Sequence, residues 1–209
     1  MTDPHGIDTV EQLRELISEP APIMHEVKGH RIGTHERAYI ERSPFLLLAT
    51  CDAAGKMDVS PKGDAPGFAR VEDETTLVIP DRPGNHLAYG HLNILSTGRA
   101  GVVFLIPGTP ETVRVNGRAE LTRDPELLEQ LAARGRPAIL ATRIHIEECF
   151  FHCAKAFLRS QLWKPETWDE RVKISLGEMI AAKLAAGVPD PAVAQEIEKA
   201  IEEDYRTNL

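Results

Sequence analysis

Alternating apolar and polar residues predict a series of β-strands through the middle of the chain. The predicted strands cover residues 45–51, 56–62, 75–80, 100–106, 112–121 and 138–151. Residues 52–55, Asp-Ala-Ala-Gly, have the composition of a tight turn, so the first two strands are expected to form a hairpin. Because the strands are joined mostly by hairpins rather than by long helices, we predict a mainly β protein of the α+β class, built on an antiparallel barrel.

Helical spacing of apolar residues is found at both ends of the chain and in two of the connections. The predicted helices cover residues 9–18, 34–42, 85–95, 125–134, 169–186 and 191–204. Asp8 and Glu11 resemble a capping box for the first helix, and Thr34 is a good N-cap for the second. Since we find no internal repeat and no flexible linker, we expect a single domain over residues 1–209. Its barrel would span about 44–163, with helical extensions at 1–43 and 164–209.

The composition is that of an ordinary globular protein, with 42% hydrophobic and 27% charged residues. A net charge of −8 argues against binding nucleic acid through a general basic surface. The longest apolar runs fall far short of the ~20 residues that cross a bilayer, and the first residues carry no secretion signal. We therefore expect a cytoplasmic protein that binds neither nucleic acid nor membranes.

Three cysteines, Cys51, Cys149 and Cys153, are odd in number and lack CxxC spacing. This usage is typical of reduced thiols in a reducing compartment. Cys149, His152 and Cys153 could suggest a metal site, but no second Cys/His cluster offers ligands to complete a tetrahedral shell. We predict no metal site.

Candidate ligand-binding groups follow two of the predicted strands. Ser60 and Lys62 lie where the second strand opens into a loop, a composition that can hold a polar or anionic ligand at a barrel mouth. Arg82 and Asn85 lie between the third strand and the helix predicted after it, where backbone N–H groups and an arginine suit a phosphate. An ordinary solvated turn is the alternative for each segment, and Asn85 is also a plausible helix cap.

Two further groups of polar residues come later in the chain. Alternation places four of them on the polar face of the fifth strand: Thr112, Arg114, Asn116 and Arg118. Lys155 and Arg159 are four residues apart in a helical segment, so an anion could lie between them, with Trp163 one turn further on. A solvated surface is the alternative for both groups. We interpret His86 and His91 as solvent or interface contacts, because they are five residues apart and not stacked on one helix face.

These segments, taken in this order, resemble the motifs of the FMN-binding split-barrel proteins related to pyridoxamine 5′-phosphate oxidase. The resemblance covers about residues 44–163 and is closer to a flavin-binding branch of that family than to the oxidase itself. Its motifs are the hairpin opening at 44–55, Ser-Pro-Lys-Gly-Asp at 60–64, Ile-Pro-Asp-Arg-Pro-Gly-Asn at 79–85, Asn-Ile at 93–94, Arg-Val-Asn-Gly-Arg-Ala-Glu-Leu at 114–121 and His-Cys-Ala-Lys-Ala at 152–156.

The resemblance implies an antiparallel split barrel that binds FMN as a homodimer, with both flavins at the subunit interface. It implies contacts to one flavin from Ser60, Lys62, Ile79, Pro80, Arg82 and Asn85. Of these, Ile79 and Pro80 would flank the flavin ring, and Arg82 and Asn85 would hold its phosphate. It implies that a flavin held mainly by the other chain is reached by Thr112, Lys155, Arg159 and Trp163.

Departures from the oxidase bear on the activity. The oxidase uses an Arg-x-His pair near its C-terminus to bind pyridoxal phosphate, whereas Arg159-Ser160-Gln161 follows Lys155 here. We therefore do not expect vitamin B6 oxidation. The resemblance favours an FMN-dependent oxidoreductase acting between a nicotinamide-type donor and a small-molecule substrate. The alternatives are a flavin or haem-derivative carrier without turnover and a deazaflavin in place of FMN, and no residue identifies itself as a catalytic acid or base.

Overall fold

The computed structural model describes residues 3, 5–170, 172, 174–185 and 190–208. The strands in these residues are β1 (Phe45–Cys51), β2 (Met57–Gly63), β3 (Arg70–Val71), β4 (Thr76–Asp81), β5 (Arg99–Leu105), β6 (Thr112–Thr122) and β7 (Leu140–His152). The helices are α1 (Val10–Leu16), α2 (Ile23–Glu26), α3 (Thr34–Ile40), α4 (Tyr89–Thr97), α5 (Pro125–Gln130), α6 (Lys155–Ser160), α7 (Leu176–Leu184) and α8 (Pro191–Asn208), with a 3₁₀ turn at Pro165–Thr167.

One curled sheet forms the body of the protein. Its strand order is β2-β1-β5-β6-β7-β4-β3, and each pair of neighbours runs antiparallel. Leu48 of β1 and Leu77 of β4 are four strands apart in this order, yet both lie in one buried core. The sheet must therefore close on itself as a barrel. The edge strands β2 and β3 are not paired with each other in the described residues, so the barrel is split, and the predicted α+β class is confirmed.

The core comes from the alternating residues that the sequence pattern assigns to the inner face. Leu46 and Phe104 are fully buried, as are Val113 and Val115 on the long strand β6. Burying each such side chain contributes about 1.5–3 kcal/mol. The pattern of these strands therefore accounts both for the sheet and for the barrel that it encloses.

Helix boundaries differ from the predictions in several places. The N-cap of α3 is Gly33 rather than Thr34, and α5 ends at Gln130 rather than at 134. Thr9 and Gln12 form the capping box of α1, rather than Asp8 and Glu11, because the Thr9 hydroxyl accepts from the Gln12 N–H at 3.2 Å. The helix expected over 85–95 begins only at Tyr89. The helix expected over 169–186 begins at Leu176, after a Ser175 hydroxyl that accepts from the Glu178 N–H; residues 171, 173 and 186 of that prediction lie outside the described residues.

The two C-terminal helices pack on each other. Gly177 of α7 lies so close to α8 that an added Cβ would be 2.2 Å from the Ala194 carbonyl oxygen. The Glu198 carboxylate accepts from both the Ser175 hydroxyl and the Gly177 N–H. The end of α8 returns to the barrel, where Arg136 Nη1 donates to the Thr207 carbonyl at 3.1 Å. None of the helices in the described part of the chain has the length and hydropathy needed to cross a bilayer.

Cysteine reactivity offers a test of the placement of β7. Cys149 is 2% exposed, and burial is the main factor that raises its pKa to about 12, whereas Cys153 is exposed. Since the thiolate is the reacting form, we expect a thiol reagent at pH 8 to label Cys153 in the folded protein and Cys149 only after unfolding. Mass spectrometry of the labelled peptides measures this order. Labelling of Cys149 as fast as Cys153 would contradict its burial.

Candidate functional site

A cavity of about 930 Å³ opens where the edge strand β2 lies near the end of β4. Its walls come from β2, the connection between β4 and α4, the first turn of α4, and the segment 133–140 that precedes β7. In the described residues β2 and β4 are not paired in the sheet. The split in the barrel therefore creates the site, because the gap between these two strands is lined by side chains rather than closed by backbone pairing.

Five of the residues predicted to hold a cofactor line this cavity, namely Ser60, Lys62, Pro80, Arg82 and Asn85. They reach it from β2, from the end of β4 and from the connection that follows. Ile79, a sixth predicted residue, is 2% exposed and packs in the barrel core beside the cavity. The structure thus brings together two segments that are about 20 residues apart in the sequence.

The other four predicted residues, Thr112, Lys155, Arg159 and Trp163, are not part of the cavity wall within the described residues of this chain. Thr112 is buried at the start of β6, whereas Lys155 and Arg159 are exposed on α6. The Trp163 indole N–H donates to the Thr109 carbonyl at 3.0 Å, and its ring stacks on Phe157. If these four residues contact a cofactor, that cofactor is held mainly by another chain.

Arg82 lines the cavity and is held in place by an ion pair with Asp64. Its Nε donates to Asp64 Oδ2 at 3.0 Å, and the other oxygen of that carboxylate accepts from the Ala65 N–H at 2.8 Å. The Arg82 and Asp64 side chains are 25% and 11% exposed. This pairing fixes the guanidinium plane and leaves its Nη end for a further acceptor.

One atom of this guanidinium lacks a partner. Arg82 Nη1 is buried and makes no hydrogen bond within the described residues. A buried polar group left unpaired costs about 1–3 kcal/mol, and more when it is charged. Arg82 and Asp64 also line a second, smaller cavity of about 320 Å³. An anion that accepted from Nη1 would remove the cost at this point.

Lys62, Asp81 and His91 form a second charged cluster in the same cavity. Lys62 Nζ donates to Asp81 Oδ1 at 2.5 Å, and His91 Nε2 lies 3.6 Å from the same oxygen. Burial lowers the pKa of His91; the Asp81 carboxylate opposes this shift and the Lys62 ammonium adds to it. His91 is therefore mostly uncharged at neutral pH. It lines the cavity with only 14% of its side chain exposed, so it is not a plain solvent contact, and its predicted interface contact stays a prediction.

The connection between β4 and α4 explains why the helix begins late. Asn85 Oδ1 accepts from the Leu87 N–H at 3.1 Å, a local turn that competes with helix formation. His86 and Ala88 follow with φ angles of 59° and 52°, which no α-helix contains. Ala88 stands at the N-cap without a side-chain acceptor, so the first-turn N–H groups of α4 are left for other acceptors, and Asn85 is not the helix cap.

Several residues that line the cavity were not predicted from the sequence to bind a cofactor, chiefly Asp58, Asp64, Asp81, Arg134, Arg136 and Asn208. Asp64 and Asp81 lie inside the motifs at 60–64 and 79–85, and that position is the signal that could have found them. Their partners are 18 and 19 residues away, and no local pattern reveals such pairs. Asn208 reaches the cavity only because α8 returns to the barrel.

A sequence profile of pyridoxamine 5′-phosphate oxidase matches residues 32–153, more than half of the chain. The chain belongs to the pyridoxamine 5′-phosphate oxidase family. The matched residues contain all seven strands of the barrel. They also contain each described residue that lines the cavity apart from Asn208. No curated protein matches the chain.

Solved structures of other proteins are similar to part of this chain. HupZ of Group A Streptococcus is 21% identical with a TM-score of 0.47, and the alignment covers 57% of this chain and 93% of that one. A putative pyridoxamine 5′-phosphate oxidase from Lactobacillus delbrueckii is 23% identical with a TM-score of 0.47, covering 59% and 98%. An FMN-binding protein from Syntrophomonas wolfei is 13% identical with a TM-score of 0.42, covering 56% and 83%.

Proposed function

We propose that this protein binds FMN in the cavity between β2 and β4 and acts as a flavin-dependent oxidoreductase. The observation that carries the proposal is Arg82, whose guanidinium is oriented by Asp64 and whose buried Nη1 lacks a partner among the described residues. A phosphate is the acceptor that suits this group, because it offers several charged oxygens to a planar fork of donors. Membership of the family, and the motifs that resemble its flavin-binding branch, support FMN as the source of that phosphate.

The charge of the cavity also supports an anionic ligand. Its wall contains the cations Lys62, Arg82, Arg134 and Arg136 and the carboxylates Asp58, Asp64 and Asp81. Among the described residues, four cations against three carboxylates give the wall a charge of +1, in a chain whose net charge is −8. A positive cleft in an acidic protein focuses its field on an anion. The volume of about 930 Å³ is also large enough for a cofactor, since ligand pockets commonly measure about 300–1,000 Å³.

The residues of this chain would bind and orient the cofactor. Arg82 and Asn85 would hold the phosphate. Ser60 and Lys62 would contact the cofactor from β2, and Pro80 would lie against the ring. When bound, FMN supplies hydride or electron transfer at its ring. The proposed reaction passes electrons from a nicotinamide-type donor to a small molecule.

We propose further that the active form is a homodimer. Half-buried residues at paired positions on β1, β5, β6 and β7 form a continuous row: Leu47, Val103, Arg114 and Phe150. Arg114 Nε is buried without a hydrogen-bond partner in the described residues, which a second chain could supply. Such a dimer would let Lys155 and Arg159 serve a flavin of the other chain. Light scattering after gel filtration should give the mass of two chains, and a mass of one chain would contradict the dimer.

Titration with FMN tests the proposed function. We expect saturable binding of one FMN per chain, seen as a change in flavin fluorescence, followed by anaerobic bleaching of the flavin absorbance with NADH or NADPH. Sustained oxidation of the nicotinamide would support an enzyme. Bound flavin that neither donor reduces would instead support a carrier. A Soret band in the purified protein would support a haem-derivative ligand. No binding of FMN would contradict the proposal.

Asp64→Asn tests the orientation of Arg82. The substitution preserves shape but removes the charge that fixes the guanidinium, so we expect FMN affinity to fall about tenfold, a loss of about 1.4 kcal/mol. Isothermal titration measures the affinity. Asp73→Asn is the matched control, because Asp73 lies in an exposed turn where it accepts from Thr75. Equal affinity of Asp64→Asn and the native protein would show that Asp64 does not position Arg82.

A further inference from the structure

Three elements each contribute one ionisable group to the cluster of Lys62, Asp81 and His91. Asp81 ends β4, and its backbone is fixed by pairing with Leu140 of β7. His91 is in the first turn of α4, where it is 14% exposed. The distance of 3.6 Å from His91 Nε2 to Asp81 Oδ1 is too long for a hydrogen bond but within the range of a close ion pair. The cluster is thus held by rigid elements and opens to the cavity.

The cluster keeps His91 neutral while leaving it able to gain a proton. Burial and the Lys62 ammonium lower the pKa of His91, and Asp81 partly restores it. The positive end of the α4 dipole further disfavours an imidazolium in the first turn. In the described part of the chain, the other charged or titratable groups around the cavity are Asp58, Asp64, Arg82, His86, Tyr89, Arg134 and Arg136. Of all these groups, the two histidines are the side chains whose ordinary pKa lies nearest neutral pH.

We propose that His91 takes up a proton when a flavin bound in this cavity is reduced and releases it when the flavin is reoxidised. This inference rests on the proposed function and extends it to the proton chemistry of the same site. FMN, when bound, would accept a hydride at its ring; because a hydride carries two electrons and one proton, the reduced cofactor would carry one additional negative charge. One proton from solvent, taken up by the His91 imidazole through the open cavity, balances that charge. On reoxidation the small-molecule acceptor would take the two electrons, and the ring proton and the His91 proton would pass to that acceptor or to solvent.

The charges of the cluster give this proton a defined role. A new negative charge on the cofactor favours the imidazolium, since opposite charges attract more strongly in a partly dry cavity than in water. Asp81 holds the imidazolium once it forms, and Lys62 opposes its formation in the oxidised state. Proton uptake is therefore coupled to the arrival of electrons rather than to the pH of the solution alone.

The pH dependence of the flavin reduction potential tests the proposal in the FMN-loaded protein. Above the pKa that His91 has when the flavin is reduced, the native protein and His91→Gln should have the same flavin reduction potential. Below it the native potential should rise more steeply and stay higher, because the imidazolium stabilises the reduced flavin. His86→Gln, which alters the exposed histidine of the same cavity, should follow the native curve. Parallel curves for native protein and His91→Gln, or loss of the steep region in His86→Gln, would overturn the proposal.

Flavin absorbance in the same samples separates the two proposals. If the native protein retains FMN but the curves are parallel, the role of His91 fails while the proposed function stands. If the native protein binds no FMN, both fail.

NMR titration of the histidines gives a second test that needs no flavin. Asp81→Asn removes the carboxylate that favours the imidazolium, so the pKa of His91 should fall further below its ordinary value. Lys62→Met removes the opposing ammonium, so the pKa should rise toward its ordinary value. Opposite responses to the two substitutions support the cluster. An unchanged pKa in both variants would show that the three groups are not coupled, and would overturn the proposal.

Discussion

Replacing Arg82 with alanine is expected to raise the dissociation constant for FMN about 100-fold and to leave the barrel folded. Hydrogen bonds to charged groups contribute about 1.5–3 kcal/mol each, and a loss of about 2.7 kcal/mol corresponds to 100-fold. The guanidinium lines the cavity in an orientation fixed by Asp64, and its Nη1 atom has no hydrogen-bond partner in the described residues. Arg82→Lys should lie between alanine and native protein, because lysine keeps the charge but not the planar fork.

Isothermal titration and circular dichroism on the same samples separate binding from folding. Arg123→Ala is the matched control, since Arg123 does not line the cavity in the described residues. The Asp64 carboxylate loses its ion-pair partner in Arg82→Ala, so a modest fall in melting temperature is also expected. If Arg82→Ala binds FMN as tightly as the native protein does, Arg82 is not part of a phosphate site.

Replacing Gly117 with alanine is expected to destabilise the barrel strongly, although it adds a single methyl group. An added Cβ would lie 2.1 Å from the His145 carbonyl oxygen and 2.9 Å from its carbon. Gly117 stands where the register between β6 and β7 shifts, so the backbone cannot retreat without breaking the pairing of the two longest strands. We expect a loss of at least about 3 kcal/mol, which lowers the melting temperature of a chain of this size by roughly 10 °C.

Gly84→Ala is the control for this substitution. A Cβ at Gly84 meets no atom within 4 Å, so its melting temperature should stay within about 2 °C of native, since surface substitutions usually change stability by less than about 0.5 kcal/mol. Thermal unfolding followed by circular dichroism compares the two variants with the native protein. A native melting temperature for Gly117→Ala would mean that the strands do not approach as closely as the structure places them.

Local sequence patterns predicted most of the barrel, because strand alternation and turn composition are encoded in neighbouring residues. β1, β5 and β6 begin and end within one residue of their predicted positions. Local patterns failed where short-range hydrogen bonds compete with the helix. The Asn85 side chain bonds the Leu87 N–H, and this delays the start of α4. β3, with two residues, is too short for alternation to reveal it.

Only part of the candidate site is encoded locally. Lys62 and Arg82 could be found because cations beside glycine and proline at strand ends suit anions. Their pairing with Asp81 and Asp64 could not be found, since each ion pair joins β2 or its following loop to the end of β4 or the residue after it. The position of His91 depends on how α4 packs beside β2. These contacts arise from the curling of the sheet, which a single sequence does not express.

The relative affinity for FMN and riboflavin tests the central claim most directly, since the two differ only in the phosphate. We predict that the native protein binds FMN about 100-fold more tightly than riboflavin, a difference of about 2.7 kcal/mol, and that Arg82→Ala binds the two with nearly equal affinity. Equal affinity of the native protein for both would contradict a phosphate site at Arg82.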